Sequence, residues 1–203
     1  LETVDSVAAR SSAITQAPTC LGPECAATAS FYRAAMQRYT REDTSAAFAA
    51  WQTLSSRLNL LHSDRQAIEE ELAFYAVVRN VPGTLSWVDS VLPSLESERV
   101  LELRVRHALA SRDWNGVLYW IAEMPAIQQE NSRWQYWLGR ANEQLGNQGA
   151  AEARYQQAAQ DRSFYGFAAA EKLGQPYQLN LERNHFDEAS RQRIAQLPAV
   201  QRT

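Results

Sequence analysis

Glu182 and His185 in "LERNHFDE" stand at i and i+3, and His185 and Glu188 repeat the spacing. On a helix each pair would project from one face. Di-iron helices use such pairs, but they need two of these motifs and further carboxylates. No second motif is present here, so both pairs read as a solvated face near a chain end. His62 and His107 have no serine or cysteine beside them in a nucleophile motif, and "HSDR" reads as a helix start. G-x-S-x-G, the P-loop and G-x-G-x-x-G are all missing from the sequence. The carboxylates Glu69, Glu70 and Glu71 could supply a general acid only in a cleft dry enough to raise a pKa. Three on one turn read as solvated surface. Residue types alone single out no catalytic, cofactor-binding or metal-ligating residue.

Cys20 and Cys25 flank a Gly-Pro turn in "CLGPEC", which could bring their Cα atoms within bridging distance. A disulfide and two unpaired small hydrophobes both stay open on these residues. Zinc would be short of ligands, with no histidine or second cysteine pair nearby. The tryptophans could stack on sugars, yet Trp51, Trp114, Trp134 and Trp137 fall on apolar stripes and are expected in the core. Trp87 and Trp120 lie off the main stripes.

The elements that must position these groups are helical. Apolar spacing from residue 26 onward follows the α period, and no long segment alternates, so the chain reads as all-α. The first helix, Ala26 to Tyr39, would bury Ala27, Phe31, Ala34 and Ala35. The second, about Thr44 to Leu58, would bury Ala47, Phe48, Trp51, Leu54 and Leu58. Ser63 and Gln66 form a capping-box pattern that opens a helix carrying Ile68, Leu72, Tyr75, Ala76 and Val78. Pro82-Gly83 ends it, and a shorter helix with Leu85, Val88 and Leu92 inward is expected to stop at Pro93. Leu101, Val105, Ala108 and Leu109 mark the next helix, then Trp114, Val117, Leu118 and Ile121. Trp134, Trp137, Leu138, Ala141 and Leu145 follow, ending at Gly146, and their partner turns Ala151, Tyr155 and Ala158 inward. In "FYGFAAAEKLG", Phe164, Phe167 and Ala168 form one stripe and Tyr165, Ala169 and Leu173 another, with Gly174 as a left-handed cap.

Short breaks between amphipathic helices force antiparallel neighbours, and repetition implies a helical-hairpin solenoid. Residues 95–125 and 132–160 look like two units with a pitch of about 33 residues, as in helical repeats. The second resembles a degenerate tetratricopeptide unit through Leu138-Gly139, Gly146, Ala151, Tyr155 and Ala158. Gln135, Asn142 and Ser163 depart from that repeat's Trp, aromatic and Pro positions.

A net charge of −3 without a Lys/Arg block leaves no footprint for nucleic acid or an anionic membrane surface. The apolar runs are too short to span a bilayer. The N-terminus lacks both an initiator Met and the order of a signal peptide, so a processed or truncated chain is expected.

Arg133-Trp134-x-Tyr136-Trp137, the Phe164-Tyr165-Gly166 helix opening, and Leu173-Gly174 with Tyr177 beyond follow one another in a specific order and spacing. Through them residues 99–179 resemble the superhelical part of the soluble lytic murein transglycosylases. The resemblance implies a U-shaped α-superhelix, followed in that family by a linker helical domain and a lysozyme-like domain. The latter cleaves peptidoglycan without hydrolysis, leaving 1,6-anhydromuramyl ends. The family's catalytic glutamate lies in a Glu-Ser pair followed by Gly-Leu-Met-Gln and Ala-Tyr-Asn type segments. Here the only Glu-Ser is Glu96-Ser97, ahead of the repeats and without either segment, so Glu96 is set aside.

The resemblance implies a non-catalytic scaffold that holds murein glycan strands for a separate catalytic domain, in the periplasm and without a cofactor. Its partners would be peptidoglycan and the catalytic and linker domains of the parent chain. An oxidising compartment would favour a Cys20–Cys25 bridge. The expected division is an N-terminal helical segment over 1–42, the superhelix over 43–180 and the start of a linker domain over 181–203. The alternative is a free-standing tetratricopeptide-like adaptor that binds a protein segment.

Overall fold

Short polar side chains fix where most helices begin. The computed structural model describes residues 5–6, 9–17, 19–20, 22, 28–180 and 187–197. Within it the side chains of Asp43, Ser97, Asp113, Asn131, Ser163 and Asp187 each accept a backbone N–H from the turn that follows. In chain order the helices are α1 (Ala29–Glu42), α2 (Thr44–Arg57), α3 (His62–Val78), α4 (Leu85–Leu95), α5 (Glu98–Ser111) and α6 (Trp114–Ala122). They continue with α7 (Ala126–Gln129), α8 (Ser132–Gln144), α9 (Gln148–Ala158), α10 (Phe164–Leu173) and α11 (Glu188–Ala195). A 3-10 turn at Ser11–Gln16 packs on α1 and α2. The fold is all-α, with no β-strand among the described residues.

Helices α1/α2, α3/α4, α5/α6 and α8/α9 are antiparallel pairs, and α10 packs on both α8 and α9. Helices α1, α3 and α5 form one layer, continued through the Arg133–Glu102 pair by α8 and α10, and α2, α4, α6 and α9 each pack on their partner helix of this layer. This is an array of helix pairs of tetratricopeptide type. One core cluster surrounds Trp51, a second Trp120 and Trp134, a third Tyr155. Trp87 joins the first two and meets Phe48 edge-on at 5.1 Å. The third core depends on small residues: a Cβ added to Gly139 would lie 2.6 Å from the Tyr155 ring.

Polar links tie each helix of the first layer to the next. Arg33–Asp64 and Arg41–Glu71 join α1 to α3, Ser97–Glu70 and Arg99–Glu71 join α3 to α5, Arg133–Glu102 joins α5 to α8, and Lys172–Glu143 joins α8 to α10. The residues in these links stand 27 to 31 positions apart. That interval is the repeat length, read from side-chain chemistry.

The structure corrects several expectations. The buried face of α1 is Ala29, Tyr32, Ala35, Met36, Tyr39 and Thr40, while Ala34 is exposed and Ala27 lies outside the described residues. The longer side chains of Tyr32, Met36 and Tyr39 bury more apolar area than the alternative stripe. Ser63 is no cap: α3 begins at His62, Gln66 Nε2 donates to the Ser94 carbonyl, and Asp64 is buried against Arg33. Val78 is exposed at the end of α3. Helix α4 runs through Pro93 to Leu95, at the cost of one ladder bond, the one Pro93 has no N–H to give to the Asp89 carbonyl. In α10 the buried face is Gly166, Ala169 and Ala170, and Phe164 is 76% exposed. Gly174 takes the expected left-handed cap, at φ 64°.

Glu143 shows how such a link depends on pH. Burial raises its carboxyl pKa, but hydrogen bonds from Lys172 and Tyr155 together with the charges of Lys172 and Arg140 outweigh burial and the net direction is down. A depressed carboxylate stabilises the fold fully above its ordinary value of 4.5 and loses that contribution as pH falls through the lower folded value. Urea unfolding from pH 7 down to 3 should show a shallower acid decline for Glu143→Gln than for the parent. Parallel declines would contradict this role.

Candidate functional site

A cleft of about 810 Å3 opens where α3, α5, α7 and α8 meet, within the size range of small-ligand sites. Helix α5 supplies its long wall. Glu98, Glu102 and Arg106 recur every four residues and project from one face, with Arg99 and Leu103 beside them. The opposite stripe of α5, with Val100, Leu101, Val105 and Ala108, is buried in the core. Amphipathicity therefore turns the charged row toward the cleft.

Two guanidinium groups are held in place. Arg133 donates to both oxygens of Glu102, at 3.1 and 2.9 Å, and lies over the Trp134 ring at 4.1 Å. Arg99 lies 4.2 Å over Phe74 and bonds Glu70 at 3.3 Å and Glu71 at 3.4 Å. Such stacking fixes a flat cation while leaving N–H groups on its edge. Arg106 also donates to Glu102, at 2.5 Å, and its side chain is 61% exposed. Two arginines thus share one carboxylate. Glu98 makes no ion pair or side-chain hydrogen bond among the described residues. Val78 and Ile127 add exposed aliphatic surface. The cleft offers charged groups of both signs beside an apolar wall and can bind or orient a ligand; among the described residues no group of side chains could hold a metal ion.

The carboxylate run is not a solvated face, which corrects the expectation for Glu69 to Glu71. Glu71 is buried and bonds Arg41 at 2.6 Å as well as Arg99; Glu70 accepts from Ser97 at 2.8 Å. Burial pushes the Glu69 carboxyl up, with Arg65 pulling the other way. Glu70 and Glu71 hold helices together, because the neighbouring repeats present Arg41, Ser97 and Arg99 to them, while Glu69 pairs with Arg65 on its own helix. Glu96 sits in a left-handed turn between α4 and α5, and Ser97 caps α5. His62 is exposed at the start of α3, and His107 Nδ1 is buried without a hydrogen-bond partner among the described residues. Glu182, His185 and Cys25 lie outside the described residues; Glu188 opens α11.

Among the tryptophans, Trp51 and Trp134 are buried and Trp114 and Trp137 pack against the core as expected. Trp120, off the main stripes, is also buried, at 4% exposure. The cleft's charged row lies on the α5 face opposite the apolar stripe that the sequence reading followed. Its spacing, Glu98-x-x-x-Glu102-x-x-x-Arg106, was the available signal, and only the adjacent helices turn it into a cleft.

No protein-family model matches the chain. Over 97 residues, 48% of the chain, it is 31% identical to the soluble lytic murein transglycosylase of Escherichia coli K12, covering 15% of that protein. It is 27% identical over 144 residues, 70% of the chain, to the protein of the same name from Salmonella typhimurium, covering 22% of it. A solved lytic transglycosylase Slt from Pseudomonas aeruginosa superposes on 99% of the chain with a TM-score of 0.76 and 27% identity, the chain spanning 33% of it. The 70-kDa soluble lytic transglycosylase of Escherichia coli superposes on 96% of the chain with a TM-score of 0.70 and 23% identity, a likeness of fold, with 30% of that protein spanned.

Proposed function

From the premise that this chain is a relative of the soluble lytic murein transglycosylases, similar to a helical portion of their length, we propose that it is a non-catalytic superhelical scaffold. It positions murein strands for cleavage by a lysozyme-like domain elsewhere in the parent protein. The observation that carries the reading is the superposition of nearly the whole chain on one such enzyme. The cleft beside α5 supports it, since a rigid array contributes orientation and remote binding energy without touching the broken bond.

On this reading the superhelix is followed from residue 181 by the start of a linker domain, residues 1–42 form an N-terminal helical segment, and the protein works in the periplasm. No helix among the described residues is long and apolar enough to cross a membrane. The chain should co-sediment with purified sacculi and release no anhydromuropeptides, because Glu96-Ser97 lacks the partner segments of a catalytic glutamate. Failure to sediment at low salt would overturn the murein scaffold, and release that survives repurification would overturn its non-catalytic nature. An oxidising compartment also favours the Cys20–Cys25 bridge. Thiol titration of unreduced protein should then find close to none, and two free thiols per chain would refute it.

A further inference from the structure

Resting on the murein reading, we propose that the cleft between α3, α5 and α8 binds the short zwitterionic peptide of murein and not its glycan. Sugars bind proteins by laying a face on an open aromatic ring, and here the rings are already covered. Trp134 is 4% exposed and has Arg133 at 4.1 Å over it, and Phe74 carries Arg99 at 4.2 Å. What faces solvent is charge and aliphatic surface.

The charges suit a ligand that carries both signs. Arg106 and Arg133 converge on Glu102, two cations to one anion, so their remaining N–H groups can take a carboxylate in charge-assisted bonds. One turn before Glu102, Glu98 has no partner of its own among the described residues and can accept from an ammonium. Ile127, 77% exposed, and Val78, 51% exposed, offer apolar contact to methyl groups and short methylene chains. A murein peptide presents carboxylates, a free amine and such short apolar stems within a few bonds of each other. The peptide-free glycan presents hydroxyl and acetamido groups and a lactyl carboxylate on alternate sugars but no ammonium and no short apolar stem, so it leaves Glu98 and the aliphatic wall unmatched.

The 203-residue chain, isotopically labelled, is titrated with a synthetic alanyl-γ-glutamyl-diaminopimelyl-alanine tetrapeptide and, separately, with peptide-free glycan from amidase-treated sacculi. The tetrapeptide is expected to shift amide resonances of α5 and of residues 126–134 saturably, and the glycan to leave them unmoved. Glu98→Gln and Arg106→Gln should each weaken the peptide by about tenfold, the effect of losing one charge-assisted bond. Both side chains reach into solvent, so neither change threatens the fold. Peptide affinity unchanged in both variants would overturn the assignment of the cleft. Binding of glycan without peptide would overturn the inference and leave the murein scaffold standing. A chain that binds neither ligand and does not sediment with sacculi would lose both.

Discussion

Gly166→Ala is expected to cost about 3 kcal/mol and to loosen α10 from the array. A Cβ at this position would stand 2.0 Å from the Asp161 carbonyl oxygen and 3.0 Å from that of Ala158. Both are backbone atoms, so no rotamer change can make room. The corner is also tightly bonded: Ser132 Oγ donates to Asp161 at 2.6 Å, Ser132 and Ser163 share a bond of 2.9 Å, and Gly166 N–H donates to Ser163 at 3.1 Å. Admitting a methyl group means parting the N-terminus of α8, the C-terminus of α9 and the start of α10 together. Gly149→Ala is the matched control. Gly149 lies in α9 with nothing within 4 Å of its added Cβ, so this change should be neutral or stabilising by up to about 1 kcal/mol. Urea unfolding and hydrogen exchange in α10 give the readouts, and equal stabilities for the two variants would contradict the close approach.

Asp89→Ala should destabilise by about 3 kcal/mol, more than Arg104→Met. Arg104 is 6% exposed, gives Asp89 two hydrogen bonds of 2.7 and 3.1 Å, and lies 5.1 Å from the Trp120 ring. Removing the carboxylate strands a permanent cation in the core, because arginine does not shed its proton to escape burial. Removing the arginine leaves a carboxylate whose side chain is 33% exposed, which water can solvate, and methionine refills part of the space. Chemical denaturation of both single variants decides the matter: the order reverses if hydration of Asp89 is the costlier term.

These two sites mark how far the sequence was legible. The helix count and pairing could be read because apolar spacing at Trp51, Leu54, Val105 and Ile121 follows one face, and burial answers directly to that period. Gly139 and Tyr155 were readable from their places in the tetratricopeptide-like unit, where a small residue faces a large one. Phase was harder where both faces of a helix are covered, as in α1 and α10, since alanines suit either face. Interhelix charge was least legible. Glu71, Arg104 and Asp64 look like surface residues by type, and each is buried because a partner from the preceding helix pair meets it. The α5 row that lines the cleft belongs to the same class, as its meaning depends on Phe74, Ile127 and Arg133 from other helices.

The repeat-spaced links also bear on how the chain comes to be folded. Every side-chain bond between described residues joins positions no more than 40 apart, so each helix pair finds its partners in chain made shortly before it. Such a polypeptide can acquire structure in step with its synthesis, each finished hairpin serving as the template on which the next condenses. Among the described residues no side-chain bond makes the N-terminal helices wait for the C-terminal ones, and a ribosome stalled midway would hold a shorter array with its last seam open.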